Sequence, residues 1–176
     1  MAKTDSFFIR CTKDVGNTNT FHEKEIDLGA FVDALGKSVL RILNIAVIFS
    51  DSTGRSTLID DGESAATQWQ LTTQTQTDIV LASDKSVIAS GRVAVGAQST
   101  YSAVGGGQHL PGIVSGDFDV SPQHWSNGYL IGVDTIYLGG AASLEWVGDQ
   151  YVTVILECQS ETLSQSAAMA LALSQQ

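Results

Sequence analysis

The stretch Thr67-Gln68-Trp69-Gln70-Leu71-Thr72-Thr73-Gln74-Thr75-Gln76-Thr77 alternates with a period of two. Thr67, Trp69, Leu71, Thr73, Thr75 and Thr77 share one side, while Gln68, Gln70, Thr72, Gln74 and Gln76 share the other. Threonine and tryptophan suit a pleated surface, so the pattern predicts a β-strand over 67–77. Its glutamine side reads as solvated, or as packed on another subunit through amide hydrogen bonds.

The same period recurs outward from this stretch. In 151–158, Val152, Val154, Leu156 and Cys158 oppose Tyr151, Thr153, Ile155 and Glu157. Near the start, Phe7, Ile9 and Cys11 oppose Ser6, Phe8, Arg10 and Thr12. Residues 39–49 are apolar in both phases, which predicts a central strand covered on both sides. A helix is the alternative there, because Leu35, Val39, Ile42, Leu43 and Ala46 also make a helical stripe. Further strands are expected near 21–28, 78–82, 86–95, 111–120 and 129–138. Breaks at 51–54, 60–62, 105–107, 126–128, 139–140 and 148–149 separate them. Eight or nine strands at such spacing predict an all-β sandwich or barrel. Two helices are expected, a short turn at 30–35 closed by Gly36 and a C-terminal stretch over 161–174. In the latter, Leu163, Ala167, Ala170 and Leu171 form one stripe, widened by Met169 and Leu173. No internal boundary appears, so residues 1–176 read as one domain with an N-terminal arm at 1–5 and a helical tail at 161–176.

Charge removes several classes of function. All nine Lys and Arg residues lie at or before Arg92, and residues 93–176 hold seven carboxylates and no fixed cation. Gripping a phosphate backbone needs clustered cations, so no direct nucleic-acid binding is expected. Charged residues make up 16% of the chain, well below the usual quarter. Neutral polar surface loses less hydration on burial than charged surface does, which favours protein–protein contact. A formal net charge of −10 holds copies apart at low salt, and screening relieves that repulsion. No apolar run reaches 18 residues and no secretory signal is visible, which reads as a soluble protein not exported by that route. Two cysteines make no disulfide framework and fit a reducing interior.

A search for chemistry yields little. His109, Asp117, Asp119 and His124 could together hold a metal, but their spacing matches no known ligand pattern. Asp60, Asp61 and Glu63 around Gly62 read as an acidic turn rather than an ion site. Asp51-Ser52-Thr53-Gly54 has one residue too many for an aspartic-protease loop, and Gly105-Gly106-Gly107 lacks the Lys and Ser/Thr of a phosphate loop. No serine sits in a nucleophile elbow. Cys11 and Cys158 fall on apolar faces of the first and last strands, where they read as buried thiols that could be neighbours. No catalytic residue, metal or cofactor is expected. Trp125, Tyr129 and Trp146 could line a carbohydrate-binding face on a β-sandwich module; core and interface packing is the competing reading.

Taken with this strand count and low charge, three passages resemble one family. They are Thr67-Gln68-Trp69-Gln70-Leu71-Thr72-Thr73-Gln74, Tyr151-Val152-Thr153-Val154-Ile155-Leu156-Glu157-Cys158, and the Ser164–Gln176 tail. Together they are similar to the smaller major capsid protein of haloarchaeal icosahedral viruses with an internal membrane, the vertical single jelly-roll lineage. The resemblance implies a single jelly-roll barrel of about eight strands with a short C-terminal helix and no enzymatic activity. It implies a structural capsid protein of the virion, made in the host cytoplasm. Its partners would be itself and a second, larger jelly-roll capsid protein, with possible contact to the internal viral membrane. On this reading Gln68, Gln70, Gln74, Gln76, Leu163, Met169 and Leu173 are the expected subunit-interface residues.

Overall fold

Eleven strands and one α-helix make up a computed structural model of the chain, which describes residues 5–33, 37–60, 63–96, 98–101, 108–110 and 115–176. The strands are β1 (Phe7–Gly16), β2 (His22–Asp27), β3 (Ser38–Ser50), β4 (Ser64–Thr72), β5 (Val87–Gly96) and β6 (Gln98–Tyr101). They continue with β7 (Gln108–Leu110), β8 (Ser115–Val120), β9 (Tyr129–Ile131), β10 (Thr135–Ala142) and β11 (Gln150–Thr162), and helix α1 (Gln165–Ser174) ends the chain.

One sheet runs β1-β11-β3-β9 and the other β2-β10-β4-β5-β8, with β6 and β7 forming a separate hairpin. All pairings are antiparallel. Leaving aside β6–β8, which are inserted between β5 and β9, the remaining eight strands have orders first-eighth-third-sixth and second-seventh-fourth-fifth. That is the double Greek key of a jelly roll.

The space between the sheets is filled by aliphatic side chains. Leu40, Ile42, Ile45, Val152, Val154, Leu156 and Cys158 from one sheet meet Ile26, Trp69, Leu71, Ile88, Ile136 and Leu138 from the other. Each large aliphatic side chain enclosed in this way stabilises the fold by about 1.5–3 kcal/mol relative to exposure. Trp146 joins them, and its indole N–H donates to Ala66 O at 3.2 Å.

The double apolar phase of 39–49 has a specific cause. The β3–β11 ladder pairs Glu157 with Asn44 but Cys158 with Ile42, so Leu43 is an extra residue in a bulge. Before the bulge Leu40 and Ile42 point inward; after it Ile45, Val47 and Phe49 do. One inserted residue shifts the alternation by one. The segment is therefore a strand, as expected, but it is not covered on both sides throughout: Ile48 is exposed on the outer face.

Other expectations need correction. The strand over 67–77 ends at Thr72, where the chain turns away. Residues 78–82 form a strap over β4 rather than a strand. The single strand expected over 129–138 is two, β9 and β10, which belong to different sheets. Gly139-Gly140 is not a break but the middle of β10. There a side chain on Gly139 would meet the Phe21 ring at 2.4 Å, and one on Gly140 would meet Gln68 O and Val15 Cγ1 at 2.8 Å. Of the turn expected at 30–35, the described part shows a turn at 29–31, with Phe31 and Val32 N–H both donating to Leu28 O, and residues 34–36 lie outside the described part. The C-terminal helix begins at Gln165, not Glu161, because β11 stays paired with β3 through Thr162 and Ser38. The arm at 1–5 is described only at Asp5, and the break at Gly105–Gly107 falls outside the described residues.

Candidate functional site

The barrel has two unlike ends. At one end the loops after β1, β3 and β10 meet. Asn17 Nδ2 donates to Trp146 O, Asn19 N to Ala142 O, Val147 N to Leu58 O and Asp60 N to Glu145 O. A bridge pairs Ile59 with Trp146, so Leu58 faces Val147 on the opposite side from the buried Trp146. Leu58, Leu144 and Val147 are left 71%, 57% and 59% exposed there. Trp146 anchors this tip from within while three aliphatic side chains stand in water.

The other end is closed by α1. Ser164 caps the helix by accepting the Ala167 N–H. The helix buries Ala168 and Ala172, one turn apart, and its Leu171 and Ala172 lie against Gly132 in the turn after β9. This differs from the stripe expected from sequence: Ala167 and Ala170 face solvent, as do Met169 and Leu173. Leu163 is half-buried, and its N–H donates to Lys37 O. Polar contacts then hold the terminus. Gln175 Oε1 accepts Gly132 N–H at 2.8 Å, its Nε2 donates to Leu130 O at 2.7 Å, and its carbonyl accepts Thr73 Oγ1–H and Gln74 Nε2–H. Lys85 Nζ adds a bond to Gln176 O at 2.7 Å.

The glutamine row does not form one outward surface. Gln70 is buried, its Nε2 donating to Asp78 O at 3.2 Å and its Oε1 accepting Val80 N–H at 3.0 Å. Its amide is spent on fixing the 78–82 strap and is not presented to a neighbour. Gln74 binds the carbonyl of Gln175, and Gln76 binds Ser86 Oγ while its N–H donates to Glu23. Only Gln68 stands exposed on β4. Of the expected interface residues, Gln68, Met169 and Leu173 are exposed, Gln74, Gln76 and Leu163 are half-buried and Gln70 is buried.

The three-ring carbohydrate platform is not assembled. Trp125 is exposed after a short 3₁₀ turn, but Trp146 lies in the core and Tyr129 is half-buried beside Gln175. Burial raises the Tyr129 phenol above its usual value, partly offset by its hydrogen bond with Gln175. Of the proposed metal cluster, His124 is exposed, and the side chains of His109, Asp117 and Asp119 lie outside the described part. Among the described residues no group of three His, Cys, Asp or Glu side chains is placed to hold a metal.

Cys11 and Cys158 do lie on paired strands and are both buried, but they are not neighbours. Cys158 is opposite Phe7, whereas Cys11 is opposite Val154, four positions along the ladder. Desolvation raises both thiols, Cys158 to about 12, so neither is a thiolate at neutral pH.

Sequence reasoning missed one buried ion pair. Arg41 donates through Nε to Glu161 Oε1 at 2.5 Å and through Nη2 to Oε2 at 2.9 Å, and it also binds Asn127 O. The two-bond fork joins β3 to β11 beside the helical end, and Glu161 is fully enclosed. A conserved spacing could not reveal it, because the partners are 120 residues apart and only the register brings them together.

No protein-family model matches the sequence, and no curated protein matches it. Among solved structures, VP1 of Trichodysplasia spinulosa-associated polyomavirus, in complex with sialylated glycooligomers, is similar over 89% of this chain and 95% of that one, with 10% identity and a TM-score of 0.44. The unassembled VP1 pentamer of Washington University polyomavirus is similar over 90% and 94%, with 7% identity and a TM-score of 0.43. A chain of Cocksfoot mottle virus is similar over 93% and 100%, with 10% identity and a TM-score of 0.32. The jelly-roll assignment rests on the strand order of this chain itself, and these structural neighbours come from viruses.

Proposed function

We propose that this chain is a structural capsid protein that self-associates, alone or with a sister jelly-roll protein, into the shell of a virion. Jelly rolls serve as shell proteins, sugar binders and cupin-type enzymes. The last group works inside the barrel, and here the described interior is filled by Leu, Ile, Val and Trp side chains. Sugar binding through the expected ring platform loses Trp146 to the core. What supports a shell role is apolar surface left on the outside: grouped at the Leu58, Leu144 and Val147 tip and on the Met169 and Leu173 face of α1, and also present at Phe8, Ile48, Leu81 and Trp125. The tip carries the reading. Three aliphatic side chains on hydrogen-bonded loops form the kind of apolar surface that marks contact with another macromolecule.

The finer reading follows the resemblance to the smaller capsid protein of internal-membrane haloarchaeal viruses. On it, the barrel stands upright with one end towards the membrane and its flanks against neighbouring barrels, and it does no catalysis. Symmetry multiplies weak flank contacts into a closed shell. Sedimentation of the Leu58→Asp, Val147→Asp double variant tests the role of the tip. The proposal expects a folded barrel with reduced assembly or membrane association; unchanged assembly and unchanged vesicle binding would remove the tip from the account.

A further inference from the structure

The link between the short 3₁₀ turn and β9 carries Asn127-Gly128, the only Asn-Gly pair in the chain. Asn127 is exposed, in a turn closed by Gly128 N–H donating to Trp125 O at 3.2 Å, the long end of the ordinary range. Glycine is required at 128: its φ is +61°, and a side chain there would collide with Ile42 O. The fold thus places the least hindered of residues directly after an exposed asparagine. The other three asparagines precede β-branched residues, Thr18, Thr20 and Ile45.

Arg41 adds what the sequence alone does not show. Glu161 holds its guanidinium at Nε and Nη2, and Nη1 donates to Asn127 O. That oxygen belongs to the same peptide group as Gly128 N. When this nitrogen gives up its proton, the negative charge is shared with the oxygen, where a cationic donor is already fixed. A donor set in place where charge develops lowers a barrier without reorganisation. A guanidinium also keeps its charge throughout the range in which proteins are stable.

We propose that Asn127 is a site of spontaneous deamidation, promoted by Arg41. Gly128 N, deprotonated, attacks Asn127 Cγ; the Cγ–Nδ2 bond breaks, and the leaving amide takes up a proton and departs as ammonia. Water then opens the five-membered imide at either carbonyl, giving aspartate or isoaspartate with no change of oxidation state. The isoaspartate form inserts a methylene into the main chain just before Gly128. Tyr129, the next residue, pairs with Ile42, and Leu130 O and Gly132 N–H are the groups that Gln175 binds. The modification therefore displaces β9 and loosens α1 behind it. None of this chemistry depends on shell assembly.

The test is incubation of the full chain at pH 8 and 37 °C, with peptide mapping by mass spectrometry that distinguishes isoaspartate from aspartate. The expected result is conversion at Asn127 at least tenfold faster than at Asn17, Asn19 or Asn44, with isoaspartate in excess. Ion exchange should resolve the product as a more acidic species. Asn127→Gln, which keeps the backbone contact with Arg41, should abolish it. Combining Arg41→Met with Glu161→Met removes the cation without stranding a buried carboxylate, and it should slow conversion several-fold while Asn19 is unaffected. Hydrogen exchange at β1 and β11 verifies that this double variant is folded. If it is not, Glu161→Gln takes its place, and relieving Arg41 of its counter-charge should speed conversion. The purified isoaspartate form should exchange faster at 165–174 than the parent chain. Conversion at Asn127 no faster than at Asn19 would overturn the proposal. So would an unchanged or faster rate in the double variant, or an unchanged or slower one in Glu161→Gln.

Discussion

Gln175 and Gly132 form the joint that holds the C-terminal helix on the barrel: the side-chain oxygen of one accepts the backbone N–H of the other at 2.8 Å, in a fully enclosed setting. The helix itself buries only Ala168 and Ala172, so little apolar area secures it. Most of its attachment is this polar joint, extended by the bonds of Gln175 to Leu130, Thr73 and Gln74.

Replacing Gln175 by Ala should thus loosen α1 more than the loss of any one helical residue would. It leaves the Gly132 N–H without a partner, at a cost of about 1–3 kcal/mol. Gly132→Ala should act at the same place by steric means, since its new methyl would meet Ala172 N and Leu171 Cγ at 3.0 Å. Hydrogen exchange at 165–174 checks both: faster exchange in the helix with β3 and β11 still protected is the expected outcome.

The Arg41–Glu161 fork makes a second prediction. Glu161→Ala leaves a largely buried guanidinium without its carboxylate, which should cost about 3–5 kcal/mol. Replacing both partners by apolar residues should recover much of that loss, because the desolvation of two ions is then avoided. Urea denaturation of the single and double variants measures the difference. The hydrogen bond to Glu161 holds the Arg41 pKa above its ordinary value, so the guanidinium stays charged throughout the neutral and mildly alkaline range.

Acid should weaken the fold through exposed turns. Asp51 accepts the N–H of Arg55 and the hydroxyl and N–H of Thr53, and Asp84 accepts the N–H and hydroxyl of Ser86. These bonds lower both carboxyls below their ordinary value of 3.8. A lowered folded-state pKa means the native form holds its proton less tightly than the unfolded chain. The contribution is full above the unfolded value and is lost as pH falls through the folded one. Melting temperature should therefore drop below about pH 4, and the drop should be shallower in Asp51→Asn and Asp84→Asn variants.

Cys11 and Cys158 should resist alkylation at pH 8 in the native state and react together on unfolding. Their raised pKa values and burial remove the thiolate that the reaction requires. Rapid native labelling of Cys158 would show that β11 opens locally at Phe7.

Much of this architecture was legible in the alternation of the sequence, and the departures have identifiable causes. β1, β5 and β11 announce themselves because one side of each faces a solid core. The end of β4 was hidden because Thr73, Thr75 and Thr77 continue its alternation, although Thr73 turns aside to bind the Gln175 carbonyl. β9 and β10 merged in the reading because Leu130, Ile131, Val133 and Ile136 keep the stretch apolar around the short turn at 132–134, where the chain crosses from one sheet to the other. The glutamines misled for a related reason. Period two says which residues share a side, but not that a strap would fold back over Gln70 and consume its amide. The tip at Leu58, Leu144 and Val147 carries no local signature, since its residues come from two loops that only the fold brings together.

The shell reading is tested most directly by measuring the mass of the purified chain by light scattering, with electron microscopy of the same samples, across low and high salt. At a net charge of −10, repulsion between copies is screened over about 10 Å at 0.1 M salt. The account predicts discrete oligomers that grow into capsomer-like or closed particles as salt rises, alone or after addition of a sister jelly-roll protein. A strict monomer at every salt and concentration, with and without that partner, would contradict it.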